Sequence, residues 1–423
     1  MKNKRLLTLI GSVCLMIVLV ALPFMTACAP EEVAPPAPPA PPAPPAPPAP
    51  PTIKIGALLS LTGPDASAGG QQLDGYEMAV EDVNKDGGVY VKEFDKKIPL
   101  ELIALDMETN AEKAVARAET LYAEHDVVAC VGSMLIGATA HIFEKNKVPV
   151  LVMANAISAL HGRGYKYWFS TCPKNPDFAK AVISFLDSIP EDIRPTKVAI
   201  FEEQTDWVLE YTIYFKKEAA ARGYDIVSYG KYAMLAKDLS PLILEAKAAG
   251  GEVVIGNPTT PDAITLLKQM KELDYNPKAV VIMRAAVDVS WGPAAGAIGD
   301  YVISPDEFHY ALDFPGVDEL NAKCQAKFGE LAQSHTGPSY ASIQVIADAI
   351  ERAGTLDRDK IRDAIAATDM ITVGGPVKFA ENGALIEPAI LMSQWQSGVK
   401  ELVWPEKWMT KPLIYPLPEW SER

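Results

Sequence analysis

Ile53-Lys54-Ile55-Gly56-Ala57-Leu58-Leu59 runs directly into Ser60-Leu61-Thr62-Gly63-Pro64. Seven residues, all apolar or glycine save one lysine, read as a strand buried on both faces, and the Thr-Gly-Pro that halts it reads as a turn. Immediately afterwards the spacing of Leu73, Tyr76, Met78, Ala79, Val80 and Val83 predicts a helix over 69–84. A strand that feeds through a tight turn into a helix is the repeating unit of a parallel sheet. The rest of the chain is therefore read for that unit.

The unit recurs. Strands are expected at 98–106, 127–131, 148–153, 198–201, 226–232, 253–255 and 279–283, with helices at 110–125, 137–145, 206–222, 239–249 and 261–273 between them. Helices follow at 317–329, 339–353 and 359–367, and short strands and loops from Val377 onward. Such alternation predicts an α/β protein with two parallel sheets, each covered by helices on both faces. Residues 52–423 are enough for two lobes with separate cores. Ligands of such sheets bind beyond the carboxyl ends of the strands. The loops to search are thus 60–68, 132–137, 154–158, 202–207, 257–260 and 284–288.

Ahead of the folded part the chain has a different character. Lys2, Lys4 and Arg5 precede an uncharged apolar run from Leu6 to Leu22, and Thr26-Ala27 precede Cys28. A basic start, a short apolar core and a small-residue exit read as a signal peptide, residues 1–27. Met25-Thr26-Ala27-Cys28 resembles a bacterial lipobox, with Met where Leu is usual, and implies a lipid anchor on Cys28. Residues 30–51 hold 13 of the 35 prolines, largely as Ala-Pro-Pro. This tract favours polyproline II, and residues 28–51 read as a lipidated cysteine followed by a stiff tether. The folded domain is thereby expected outside the cytoplasm, held off a bacterial membrane.

The net charge of −15 makes nucleic acid an unsuitable partner, since phosphate binding needs a basic face. Beyond Cys28 three cysteines remain, Cys130, Cys172 and Cys324, with no metal-ligand spacing and at most one disulfide among them.

The opening stretch can now be placed. Together with Gly69-Gly70-Gln71-Gln72-Leu73-Asp74-Gly75, Ala79-Val80-Glu81-Asp82-Val83-Asn84 and Gly87-Gly88, it resembles the start of the leucine/isoleucine/valine-type solute-binding proteins of ABC transporters. Val148-Pro149, Gly162-Arg163-Gly164-Tyr165 and the segment from Phe169 to Pro173 fit the same family. The resemblance implies a type I periplasmic-binding-protein fold, two Rossmann-like lobes joined by three crossovers and closing on a small ligand. It places lobe 1 at 53–171 plus 304–368 and lobe 2 at 172–303 plus 369–423. An ABC permease is the implied membrane partner.

The same resemblance assigns pocket positions. Amino-acid binders of this family carry a hydroxyl residue where this chain has Ile136, beside Gly137. They carry a small-small-Thr run where it has Ala154-Asn155-Ala156, and an ammonium-binding acid near Ala286. An aromatic lid falls at Ala68 and a second aromatic near Thr259. Each of these departs; only Trp207 keeps its aromatic type. No acid occurs from Met283 to Val287, whereas Arg284 is suited to bidentate capture of a carboxylate. Asn155, Asn257 and Thr259 offer hydrogen bonds. The expected ligand is an apolar or aromatic carboxylate lacking an α-amino group, with branched-chain amino acids as the alternative.

Other motifs carry less. Asp82-x-Asn84-x-Asp86-Gly87 with Glu93 satisfies the calcium-loop pattern, but a strand rather than a second helix is expected after Glu93. His125, His141, His161, His309 and His335 lack helical ligand spacing, so no metal is expected. There is no Gly-x-Ser-x-Gly, phosphate loop or dinucleotide-binding Gly-x-Gly-x-x-Gly, and neither a cofactor nor catalysis is expected. Trp168, Trp207 and Trp291 are equally suited to stacking and to core packing. A ligand sensor on the same fold is the rival to a transport receptor.

Overall fold

A computed structural model describes residues 48–423 except Ser133 and the side chains of residues 134–136. Cys28, the leader, the tether up to residue 47 and the Ile136 side chain lie outside the described residues. In chain order the first lobe begins with β1 (Ile53–Leu59), α1 (Ala66–Lys85), a hairpin of β2 (Val89–Val91) and β3 (Lys96–Ile98), β4 (Leu100–Asp106) and α2 (Ala111–Ala123). It continues with β5 (Ala129–Gly132), α3 (Ala140–Asn146), β6 (Val150–Val152) and β7 (Trp168–Ser170). Its strands pair in parallel in the order β4-β1-β5-β6-β7.

The second lobe follows with α4 (Asn175–Ser188), β8 (Lys197–Glu203), α5 (Asp206–Ala221), β9 (Asp225–Tyr232), α6 (Ser240–Ala248) and β10 (Val253–Gly256). Then come α7 (Thr260–Glu272), β11 (Ala279–Ile282), α8 (Trp291–Ala295) and β12 (Ile303–Asp306). The chain adds α9 (Val317–Phe328), α10 (Thr336–Ala353), α11 (Arg358–Ala366) and a hairpin of β13 (Asp369–Thr372) and β14 (Gly375–Lys378). It ends with β15 (Leu391–Gln396) and β16 (Val399–Trp404). The second sheet runs β16-β15-β12-β11-β10-β8-β9, parallel except where β15 pairs antiparallel with β12 and with β16.

Each sheet is buried on both faces, as its apolar strands require. Val253 and Ile255 point into one core with α4 and α5, and Val254 into the other with α6 and α7. In the first lobe α1, α10 and α11 cover one face and α2 and α3 the other.

Three expectations are corrected. α4 is an element beyond those expected; Pro176 sits in its first turn, where the helix needs no backbone N–H donor. β12 belongs wholly to the second sheet, so the chain returns to the first lobe after Asp306 and not at 304. Val377 and Phe379 lie in the first lobe's core, with Leu385 packed against it. The final crossing therefore falls between Leu385 and Leu391, later than 368.

The strand orders place one switch point in each sheet. β1 connects outward to β4 and its other neighbour is β5; β8 connects outward to β9 and its other neighbour is β10. At such a point successive helices leave on opposite faces and a crevice opens at the strand ends.

Helices α1 and α10 cross closely at Gly75, where an added Cβ would lie 2.4 Å from the Thr336 carbonyl oxygen and 2.9 Å from the Ser339 Cβ. Gly75→Val is expected to force these helices apart at a cost of about 1–3 kcal/mol. Denaturant unfolding should show a lower midpoint, with the largest local loss of hydrogen-exchange protection in α1 and α10.

Candidate functional site

The loops that leave the two switch points hold polar groups with hydrogen-bonding capacity to spare. Ser60 Oγ follows β1, Thr205 Oγ1 follows β8, and Asn257 Nδ2 follows β10. All three are out of contact with solvent and without a hydrogen-bond partner among the described residues. A buried polar group left unpaired costs about 1–3 kcal/mol, so three at strand ends form a costly coincidence unless something else meets them.

Loops from the two lobes also bond to each other. Asp65 is the N-cap of α1, yet its side chain does not cap that helix. It instead meets the Arg284 guanidinium from the second lobe at 3.8 Å. Ser67 Oγ donates to Asp288 Oδ1 at 3.0 Å, and Gln71 Nε2 to Asp288 Oδ2 at 3.3 Å. On the far side, Ser158 Oγ and the Ser158 and Ala159 N–H groups all donate to Glu210 of α5.

Arg284 does not stand free to capture a carboxylate, as its sequence context suggested. Its Nη1 donates at 3.2 Å to Glu203 Oε1, whose side chain is fully buried at the end of β8. Its backbone adopts φ +56°, a left-handed conformation uncommon outside glycine, and this turns the side chain into the cleft's ion group. Burial pushes Glu203 above the usual carboxylate range, opposed by the Thr259 N–H and by Arg284. Asp65 is raised in the same way, chiefly by burial and against the pull of Arg284. For Asp288 burial acts upward too, but hydrogen bonds from Ser290 and Ser67 and the nearby His335 bring it below its ordinary value. Two carboxylates, Asp65 and Glu203, thus share one guanidinium.

The remaining expected positions divide. Ala68 is buried in the first turn of α1, and Gly137 is so close to Asn155 Nδ2 and Leu160 Cδ1 that a Cβ would lie 3.1 Å from each. Ala154 packs on the first core and Ala156 on the second, so this loop lies where the lobes meet. Asn155 is buried; its Oδ1 accepts from the Ile157 N–H, and its carbonyl accepts from Lys174 Nζ at 2.5 Å. Trp207 is half-buried in the first turn of α5, against the second core. Asn257 is almost wholly buried. Thr259 is corrected: its hydroxyl is spent as the N-cap of α7, bonded to Asp262. Ile136 lies outside the described residues.

Asp65, Ser67, Gln71, Glu203, Glu210 and Asp288 were missed. Asp65, Ser67, Glu203 and Asp288 all fall in the loops marked for search, and carboxylates there were the available signal. The calcium-like loop is otherwise engaged. Asp82 bonds to Lys85, Lys323 and the Tyr340 hydroxyl, and Asn84 exchanges two hydrogen bonds with the Leu100 backbone. Among the described residues no group of His, Cys, Asp or Glu is placed to hold a metal, and Cys130, Cys172 and Cys324 are buried free thiols.

Arg284→Ala leaves Glu203 buried without its cation. A carboxyl whose folded pKa is raised loses stability as pH rises through that pKa, so the variant's deficit should grow from about pH 5 to about pH 7. Urea unfolding at the two pH values measures it, with a loss of about 1–3 kcal/mol at the higher pH.

Comparison with known proteins agrees with this architecture. A profile described as periplasmic binding protein matches residues 52–400. The Leu/Ile/Val-binding protein homolog 7 of Brucella suis biovar 1 (strain 1330) is 28% identical over 380 residues, covering 84% of this chain and 92% of its own. Homolog 8 of Brucella abortus (strain 2308) is 26% identical over 371 residues, with 84% and 91% covered. A crystal structure of a leucine binding protein from Thermotoga maritima aligns with a TM-score of 0.74 at 20% identity, covering 83% of this chain and 97% of that one. A solute binding protein from R. palustris in complex with benzoate aligns with a TM-score of 0.71 at 16% identity, covering 86% and 97%. With the family profile spanning most of the chain and both switch points, this chain belongs to the periplasmic binding protein family.

Proposed function

We propose that this chain is the extracytoplasmic solute receptor of an ABC importer, closing its two lobes on a small organic carboxylate with an apolar body. The observation that carries this reading is the unspent hydrogen-bonding capacity of Ser60, Thr205 and Asn257 at the two switch points. Ala68, Ala154, Ala156 and Trp207 are apolar residues in the loops and first helical turns at the strand ends. Hinge closure follows from differential binding: a solute touching both lobes favours the closed form by whatever contacts the open form lacks. A membrane permease then recognises that closed form.

The charge of the cleft refines the solute. Asp65, Glu203 and Asp288 outnumber Arg284, and an ammonium on the solute would offset the surplus. This favours an amino acid of the branched-chain kind, in line with the names of the Brucella relatives. A carboxylate without an amino group is the second reading, supported by the benzoate-bound neighbour. Calorimetric titration with leucine, its keto-acid 4-methyl-2-oxopentanoate and benzoate separates the two. Leucine alone supports the first reading; the keto-acid or benzoate alone supports the second; silence from all three overturns both. Asn257→Ala, which removes a donor with no internal partner, should weaken the bound solute about 3–10-fold while leaving the melting temperature nearly unchanged.

Transport and sensing share this geometry, and permease and ATPase genes beside the coding sequence would favour transport. The lipid anchor is a separate element of the proposal. Cys28→Ser is expected to move the protein from the membrane fraction to soluble or unprocessed forms, read by fractionation and blotting. Unchanged membrane partitioning with normal cleavage would remove the anchor from this account.

A further inference from the structure

Lys400 lies on β16, behind the cleft, where three parts of the chain converge. Its Nζ donates to the Val287 carbonyl at 2.8 Å, in the loop after β11. It donates also to Asp306 Oδ1 at 3.0 Å, at the end of β12, where the chain leaves the second lobe. A third bond goes to Ser334 Oγ, in the segment that enters α10 on the first lobe. Ser334 Oγ lies 3.3 Å from both the Val287 carbonyl and Asp306 Oδ1, and Ser304 Oγ donates to Asp306 Oδ2. The Lys400 side chain is 10% exposed and that of Asp306 not at all.

Val287 immediately precedes Asp288, the acid that receives Ser67 and Gln71 across the cleft. We propose that Lys400 is the positioning residue of the closed cleft. By tying the Val287 carbonyl to Asp306 and Ser334, it holds Asp288 where the first lobe can reach it.

The physical reason is one of cost and direction. Taking a lysine and an aspartate out of water is expensive, and apolar residues of similar volume often serve stability equally well. A buried ammonium supplies something apolar packing does not: three donors with fixed acceptors, here one on each converging segment. Position in the loop is thereby specified to within a hydrogen bond, and the Asp288 carboxylate inherits that precision through one peptide unit. The Asp288 side chain also accepts from the Ser290 N–H, which sets its rotamer once the backbone is placed.

The inference rests on the two-lobed receptor reading, but its test needs no solute, so the two fail separately. Nitroxide labels on Glu112→Cys in α2 and Lys217→Cys in α5, both exposed, report the distance between lobes in the full-length protein by pulsed electron paramagnetic resonance. Native cysteines Cys130, Cys172 and Cys324 are buried. Asp288→Ala and the charge-removing pair Lys400→Met with Asp306→Asn should each raise the longer-distance population several-fold. Combining them should add nothing beyond Asp288→Ala, because both break one clasp. Lys400→Arg should keep the wild-type distribution. A folded Lys400→Met/Asp306→Asn protein with the wild-type distribution, or additive effects, overturns the proposal. If that variant does not fold, Ser334→Ala removes a single arm. A shift in the same direction supports the clasp, and an unchanged distribution overturns it.

Discussion

Parallel strands impose one constraint on which most of this molecule depends. Each must be joined to the next by a crossover that returns over a face of the sheet, so both faces become buried and only the strand ends remain for other business. Val253, Val254 and Ile255 are spent on two cores in three consecutive residues. The loop at residues 256–260 is free of that duty. The same holds after β1, β8 and β11, so the polar inventory of the cleft is drawn from short loops whose positions the sheets fix.

The hydrogen bonds and ion pairs between the strand-end loops of the two lobes are directional. Asp65 with Arg284, Ser67 and Gln71 with Asp288, and Ser158 with Glu210 are all polar, in a protein whose cores are otherwise held by non-directional burial. The crossings themselves are treated in the same way. Lys174, buried between β7 and α4, donates to the Asn155 carbonyl and to Ser170 Oγ, and burial lowers its pKa. Glu307, just past β12, is pushed up to about 8 by burial, with Cys172 and Lys174 beside it opposing the shift. Apolar packing would tolerate small rotations at these points; fixed donors and acceptors restrict them to a few discrete arrangements.

Sheet content was legible because apolar runs of four to eight residues between helical spacings have few other interpretations. The run at 53–59 is observed as β1 at the same bounds. The features that escaped were tertiary. β7 and β12 carry polar residues, Ser170 in one and Ser304 and Asp306 in the other, which interrupt the apolar run that marked the other strands. α4 was not among the helices expected, although Pro176 in its first turn is compatible with a helix start. The hairpin at 369–378 gives no hint of which core its neighbour Phe379 will join, since that depends on partners more than two hundred residues away, among them Phe169. At the site, residue type marked Arg284 as a charge in the right loop, but charge alone does not disclose a partner. Glu203 was inside a loop already singled out, and only the fold brings it to 3.2 Å from the guanidinium.

The core of the first lobe holds residues from Ile53 through Phe379, while the second lobe's cores take residues from Phe178 to Trp420. Neither lobe is therefore a contiguous piece of the gene. A recombination event that exchanged the front half of one such coding sequence for another's would join mismatched halves in both cores at once. Unfolding is linked in the same manner, since loosening one lobe pulls on segments that seal the other. Diversification of what such a receptor holds is thus channelled into point changes at the strand-end loops, where a substitution alters the cleft and leaves the shared interior untouched.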